Sequence, residues 1–292
     1  MSGVAGVPRA SLRSVVRALV PPIVLKGWHA LRRRALTHVD MITPAPLGWD
    51  TPLTQVGASA DFWRWNITPA RISGERALIE RLRANDPDLF RSEVNDEGQR
   101  FAGAEYISYM TVVYALAVAA RQKLTLSILD YGGGPCDYYW LVRAMLPDLE
   151  LDYHCFELPP LVELGRELAP DVVWHSDATW MERRFDVVMF NTSLQYLRDW
   201  HTVIPQAASA ADGYLLLTQV PTVLSESGFV VLQRTGGSQV LAVRFSRSEL
   251  IDTVRATGFQ LVREFPMAQE AIVYGAPEQP SPRGFLFKRI IP

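Results

Sequence analysis

Cysteine is scarce: Cys136 and Cys155 are the only two in 292 residues. No C-x-x-C pair and no Cys/His cluster has metal-ligand spacing, so neither a metal site nor a disulfide scaffold is expected. Reduced thiols and a cytoplasmic setting are the corresponding expectation. Internal repeats and low-complexity tracts are absent too, which excludes solenoid and fibrous classes. The apolar run "ALVPPIVL" (18–25) is far shorter than the roughly 20 residues a bilayer span requires, and Pro21-Pro22 interrupts it. A secretory signal is not expected, because no small-residue cleavage site follows that run and a triple arginine comes after it.

What is present begins with size and polarity. The chain is 48% apolar with net charge −2, enough to bury a sizeable core. Its charge is unevenly spread. Arg9, Arg13, Arg17, Lys26, Arg32, Arg33 and Arg34 face only Asp40 within residues 1–40, leaving the remainder acidic. The stretch "SLRSVVRALV" sets Leu12, Val15, Val16 and Leu19 on one helical face, with Arg13 and Arg17 beside it. A basic arm of this kind is either a solvated terminus or a peripheral contact with anionic lipid. Nucleic acid is not expected as a partner, since no helix-turn-helix or aromatic-and-basic pattern accompanies it.

Three segments follow: the arm (1–40), a mainly helical cap (41–123) and an α/β domain (124–292). Residues 41–75 are rich in Pro, Trp and Gly and read as irregular. "GERALIERLRA" and "AEYISYMTVVYALAVAARQ" have helical periodicity, the second apolar on more than one face and so buried on both sides. Strands are predicted at 124–130, 151–157, 172–175, 185–191 and 213–220, with "DYYWLVRAML", "PLVELGREL" and "LRDWHTVIPQAASA" as intervening helices. That alternation, with continuously apolar strands, specifies a doubly wound parallel sheet. "FVVLQRTGGSQVLAVRF" reads as a hairpin around Gly236-Gly237. "SRSELIDTVRATG" opens with a capping box, Ser246 and Glu249, and stops at Gly258. "FQLVREF" and "GFLFKRI" supply two last strands and an antiparallel ending.

The densest signal is "LDYGGGPCDYYW" (129–140). Three glycines at a strand-to-helix junction let the backbone turn tightly and let a ligand lie against it, where amides and the helix dipole converge. Glu157 ends the next strand, 23 positions after Gly134. A carboxylate there is placed to accept from a ribose diol. Together the two features indicate an adenosine-containing ligand. A dinucleotide fingerprint would need glycine where Asp137 stands, and no Walker lysine is present, so a nicotinamide-dependent oxidoreductase is a lesser alternative. Asp130, just before the loop, suits a ligand with positive charge.

Here the sequence resembles the class I S-adenosylmethionine-dependent methyltransferases, whose first motif reads as Asp130-Tyr131-Gly132-Gly133-Gly134. "LDYGGGPCDYYW", "FELPPLVELGRE" and "NTSLQYLRDW" resemble more narrowly a methyltransferase family associated with surface polysaccharide biosynthesis. Cys136 departs from the pattern, standing where many relatives have a further glycine. The resemblance implies a Rossmann-like fold, with a mostly parallel seven-stranded sheet and an antiparallel last strand, plus the helical amino-terminal cap. It implies S-adenosylmethionine as cofactor and a small-molecule or glycan acceptor, methylated at a sugar hydroxyl. Asp130 and the backbone of Tyr131 to Gly134 would hold the methionine portion, and Glu157 the ribose. Leu158 would pack on the adenine, with Asp177 and the Ala178 amide at its amino group. Asn191, Thr192 and Ser193 would line the path to the acceptor.

A general base is needed only if the acceptor must lose a proton. His175 and Tyr196 are the candidates, with His201 behind them. Cys136 has no neighbouring histidine in sequence to make it a nucleophile. Trp63, Trp65, Tyr106 and Tyr109 either form the core of the cap or wall the acceptor pocket. The hairpin at 229–245 would cover the acceptor. A non-catalytic module that keeps the cofactor fold for interaction or regulation stays open as the alternative from another class.

Overall fold

The computed structural model describes residues 41–47, 64, 67–86, 93–94, 100–101, 104–121, 123–225, 227–235, 238–267 and 273–290. The basic arm with its Leu12, Val15, Val16, Leu19 face lies outside the described residues, as do Trp63, Trp65, the Tyr106 side chain and the Gly236-Gly237 turn. The chain divides into two units, residues 1–38 and 39–292, and every element below belongs to the second. Among the described residues no helix is long and apolar enough to cross a membrane. No group of three or more His, Cys, Asp or Glu among them is disposed to hold a metal ion.

In chain order the strands are β1 Met41–Leu47, β2 Glu93–Val94, β3 Arg100–Phe101, β4 Thr125–Tyr131, β5 Glu150–Phe156, β6 Val173–His175 and β7 Phe185–Asn191. Then come β8 Ala211–Val223, β9 Phe229–Thr235, β10 Ser238–Ser246, β11 Phe259–Pro266, β12 Val273–Tyr274 and β13 Ser281–Arg289. The α-helices are α1 Pro69–Arg83, α2 Ala104–Ala119, α3 Asp137–Met145, α4 Pro159–Leu168, α5 Trp200–Ala210 and α6 Arg247–Arg255.

Seven strands lie in the order β6-β5-β4-β7-β8-β13-β11. The first five are parallel and β13 enters antiparallel between β8 and β11. This is the Rossmann-like methyltransferase arrangement. The strands form because their apolar runs can be covered on both faces: Leu126, Ile128, Leu129, Val188, Met189 and Phe190 are fully buried. The sheet is larger than the seven strands expected. β10, β9, β1 and β12 extend it from the end of β8 to eleven strands among the described residues. The β9-β10 hairpin runs in continuous antiparallel register from Arg244↔Phe229 to Ser238↔Thr235.

The expectation of irregular chain over 41–75 is corrected at both ends. Met41–Leu47 is a strand, antiparallel to β9 and parallel to β12. Its Pro44 and Pro46 fall where the β9 ladder shifts register between Ile42 and Leu47, the place a proline, lacking an N–H, is tolerated. At the other end, α1 starts at Pro69, because Thr68 caps it by accepting from the Arg71 amide and proline suits the first helical position. On α2, Tyr109, Val112, Ala115 and Leu116 are buried in the core cluster. α1 packs on α3 and places Arg83 over the Trp140 ring at 4.6 Å. Ser246 caps α6 by accepting from the Glu249 amide at 3.5 Å, while the Glu249 carboxylate lies 3.5 Å from exposed His201.

Candidate functional site

The carboxyl ends of β4, β5 and β7 lie beside the Thr218 region of β8, at the edge where an open α/β sheet forms its ligand crevice, and the glycine turn follows β4 there. Each glycine answers a different demand. A Cβ on Gly132 would come within 2.6 Å of the Ser193 Cβ. One on Gly133 would sit 2.5 Å from the Asp130 Cγ and 2.9 Å from the Cys155 Sγ. Gly134 has nothing among the described residues within 4 Å of that position but holds φ +58°, a conformation glycine adopts at no steric cost. Its outer face is therefore open to a ligand. Cys136, at φ +66° and fully buried, takes the left-handed conformation a glycine would favour, with its thiol hydrogen-bonded to the Cys155 thiol.

Three carboxylates surround the turn. Asp130 is wholly buried; Tyr153 donates to its Oδ2 at 2.8 Å, and its Oδ1 has no partner among the described residues. Burial pushes its pKa up to about 8, the Tyr153 hydrogen bond pulling the other way. Burial and the neighbouring Glu75 of α1 push Asp137 up to about 7, against Arg71. Glu157 is also raised by burial, while the Leu158 and Gly134 amides favour its charged form. Its Oε1 accepts from Gly134 at 3.3 Å and its Oε2 from Leu158 at 2.6 Å.

The end of β7 and the Thr218-Gln219 stretch of β8 close the other wall. Ser193 donates to the Tyr131 carbonyl at 2.6 Å, tying the β7 loop to the glycine turn. Thr218 donates to Asn191 Oδ1, and Asn191 also hydrogen-bonds the buried Tyr138. Thr192 sits at φ +59°, its amide donating to the Thr218 carbonyl at 3.2 Å. Gln219 sits at φ +54° and donates to Ser108 of α2 at 2.6 Å. Cys136, Thr192 and Gln219 are thus three non-glycine residues in a costly backbone conformation around one crevice, the kind of clustering associated with function. Tyr138, Tyr153, Ser108 and Gln219 were not singled out from sequence. Gln219 carries no local signal, since it lies inside an apolar strand run.

The turn, Glu157 and Asn191 to Ser193 are brought together. Leu158 stands beside them with 44% of its surface exposed. Asp177 and Ala178 lie one strand further out, and the Glu157 amide donates to the His175 carbonyl at 3.0 Å. The Asp177 carboxylate accepts from the Thr179 hydroxyl and amide, which hold it below the usual carboxylate range. The Tyr131 ring turns away, packing on Phe156, Phe190 and Trp180.

The two candidate bases sit apart from each other. His175 Nε2 lies 2.8 Å from His154 Nδ1, and its Nδ1 lies 3.2 Å from the Thr179 hydroxyl. Burial lowers the pKa of both histidines. Strand β6 is three spacings from β7, about 14 Å. Tyr196 faces the hairpin: its hydroxyl accepts from Gln233 at 2.9 Å, and Gln233 accepts from buried Arg244 at 3.4 Å.

The strand order and the crevice at its carboxyl end define a Rossmann-like fold of the methyltransferase type. No family model matches the chain and no curated protein matches it. Solved structures do. Magnesium protoporphyrin IX methyltransferase from Synechocystis PCC 6803 is 14% identical over 82% of this chain and 100% of its own, with TM-score 0.48. The 1,6-didemethyltoxoflavin-N1-methyltransferase from Burkholderia thailandensis is 14% identical over 85% and 94%, with TM-score 0.47. The CcbJ methyltransferase from Streptomyces caelestis is 13% identical over 65% and 94%, with TM-score 0.45. Likeness at this level concerns the course of the chain, and the strand order defines the fold without it.

Proposed function

We propose that the chain is an S-adenosylmethionine-dependent methyltransferase whose acceptor is a sugar hydroxyl of a glycan or glycan precursor. The supporting observation is the open-faced Gly134 turn with the Glu157 carboxylate bonded to its amide at 3.3 Å, at adjacent strand tips. The residues present suit that cofactor. The segment 130–137 carries two carboxylates and no basic side chain, and the Asp130 oxygen without a partner is a buried acceptor beneath the turn. Such a site suits hydroxyls and disfavours a pyrophosphate, and a positively charged ligand would draw Asp130 and Asp137 back toward their ionised forms.

In this reading Asp130 and the Tyr131 to Gly134 backbone hold the methionine end. Glu157 takes the ribose hydroxyls, exposed Leu158 lies against the adenine, and Asp177 with the Ala178 amide takes the adenine amino group. Asn191, Thr192 and Ser193 form the passage to the acceptor. When bound, the cofactor supplies a methyl group already activated by a positive sulfur. The chain's task is then to orient the acceptor and exclude water, an effect that supplies roughly 7 to 11 kcal/mol in well-oriented systems. Residues 41–123 act as cap and 124–292 as the catalytic domain. Tyr196 is assigned the acceptor's proton as its phenolate, a charge favoured by Arg244 standing behind Gln233. His175, with both ring nitrogens engaged, keeps the β6 end in position. The arm 1–40 holds the protein at an anionic membrane face in the cytoplasm.

Calorimetry with S-adenosylhomocysteine tests the cofactor assignment. Glu157→Ala is expected to lose about 1 to 3 kcal/mol of affinity. No heat from folded wild-type protein would overturn it. Transfer of labelled methyl to a panel of glycan precursors tests the acceptor, and binding without any product would favour the non-catalytic reading.

A further inference from the structure

A second cavity, of about 230 Å³, opens beside α2 against β8, β11 and β13. It lies by Tyr214, near the amino end of β8, whereas the crevice lies by Gln219. The rise of a strand separates those residues by about 16 Å. Its lining has a distinctive chemistry. Arg121, Arg263 and Lys288 stand around it, and no acidic residue among the described residues does. None of the three has an ion pair among the described residues: Arg263 donates only to the Val262 carbonyl at 2.7 Å, and Lys288 lies 6.0 Å over the Tyr214 ring. This concentration of positive charge is not a by-product of a basic protein, because net charge is −2 and the arm supplies most of the excess cations.

The rest of the wall is apolar and aromatic. Tyr114 is 43% exposed and fixed edge-on to Phe265 at 5.8 Å, while Leu286 is buried beneath. Three like charges lining one groove repel one another and lower the affinity of the surface for any other cation. They are relieved by an anion. A bare phosphate would leave two rings uncovered, whereas a flat apolar body would cover them and bring a single anionic group among the cations.

We infer that this groove binds a small aromatic or flat apolar anion, of one or two rings with one carboxylate, sulfonate or phosphate group, at a site separate from the crevice. Volume sets the size, the rings set the flat body, and three cations without carboxylates set the charge. The inference stands whether or not the crevice holds a methyl donor.

Fluorescence titration with 8-anilinonaphthalene-1-sulfonate tests it on the full chain. Saturable binding is expected, at least about fivefold weaker near 0.5 M salt than at low salt. Arg121→Glu combined with Lys288→Glu should weaken it at least about tenfold, the loss expected for reversing two charges beside an anion. Both residues are exposed, so circular dichroism and melting should be unchanged; if the double variant fails to fold, Arg121→Gln and Lys288→Gln singly take its place. N-phenyl-1-naphthylamine, the same ring system without the sulfonate, should bind more weakly and ignore the substitutions, and inorganic phosphate should compete poorly. Equal affinity of the two dyes, or sulfonate binding untouched in a folded charge-altered protein, would overturn the inference, and efficient displacement by phosphate would show a plain anion site without the aromatic component.

Discussion

Tyr153 on β5 donates to Asp130 Oδ2 on β4 across 2.8 Å, in full burial beneath Gly133. The bond does not offset the desolvation, so the carboxyl titrates near 8 in the folded chain against 3.8 for the free side chain. The folded state therefore binds the extra proton. Stability contributed by this group is highest at low pH and is lost as pH rises from about 4 toward about 8, at up to roughly 1.4 kcal/mol per unit. Asp130→Asn should flatten the fall in unfolding free energy over that window, read from urea melts at several pH values. An unchanged slope would show that the carboxyl is already ionised when folded.

Gly133→Ala should cost about 1 to 3 kcal/mol, because its Cβ would sit 2.5 Å from the Asp130 Cγ, against a buried strand that cannot retreat. Gly134→Ala should cost about 1 kcal/mol for a different reason, the φ of +58° in otherwise open space. Combining each with Asp130→Ala separates them. The deletion should relieve part of the first, the contact with the Cys155 Sγ at 2.9 Å remaining, and leave the second unchanged.

Thr192→Gly should raise stability by up to about 1 kcal/mol, since a β-branched residue at φ +59° is strained and glycine is not. Thermal melts check the gain. A fall in melting temperature would mean that contacts of the Thr192 side chain outweigh the backbone strain.

Gly165→Ala on α4 should be strongly destabilising, by about 2 kcal/mol or more, despite alanine's better helix propensity. Its Cβ would meet the Trp174 ring, with Cζ3 at 2.5 Å, and that indole is anchored by donating to the Ala169 carbonyl at 3.2 Å. Trp174→Leu should recover part of the loss. A neutral Gly165→Ala would show that the ring moves aside freely.

The sequence by itself determined what depends on neighbours along the chain. Apolar runs alternating with helical periods marked β4, β5, β7 and β8 and the helices between them. Ser246 and Glu249 announced the start of α6, and the glycine run placed the turn beside Glu157, because both sit at strand ends whose order follows from the alternation. The tertiary structure decided what depends on partners far along the chain. "MITPAPL" becomes a strand only because β9 and β12 offer it backbone hydrogen bonds. Gln219 enters a left-handed conformation at the crevice with Ser108, 111 residues earlier, accepting its amide. His175 and Tyr196 looked alike as titratable residues near strand ends, yet His154 engages one and Gln233 the other. Local periodicity and caps are written in adjacent residues, whereas the side chain that meets a strand tip is settled only once the sheet has closed around it.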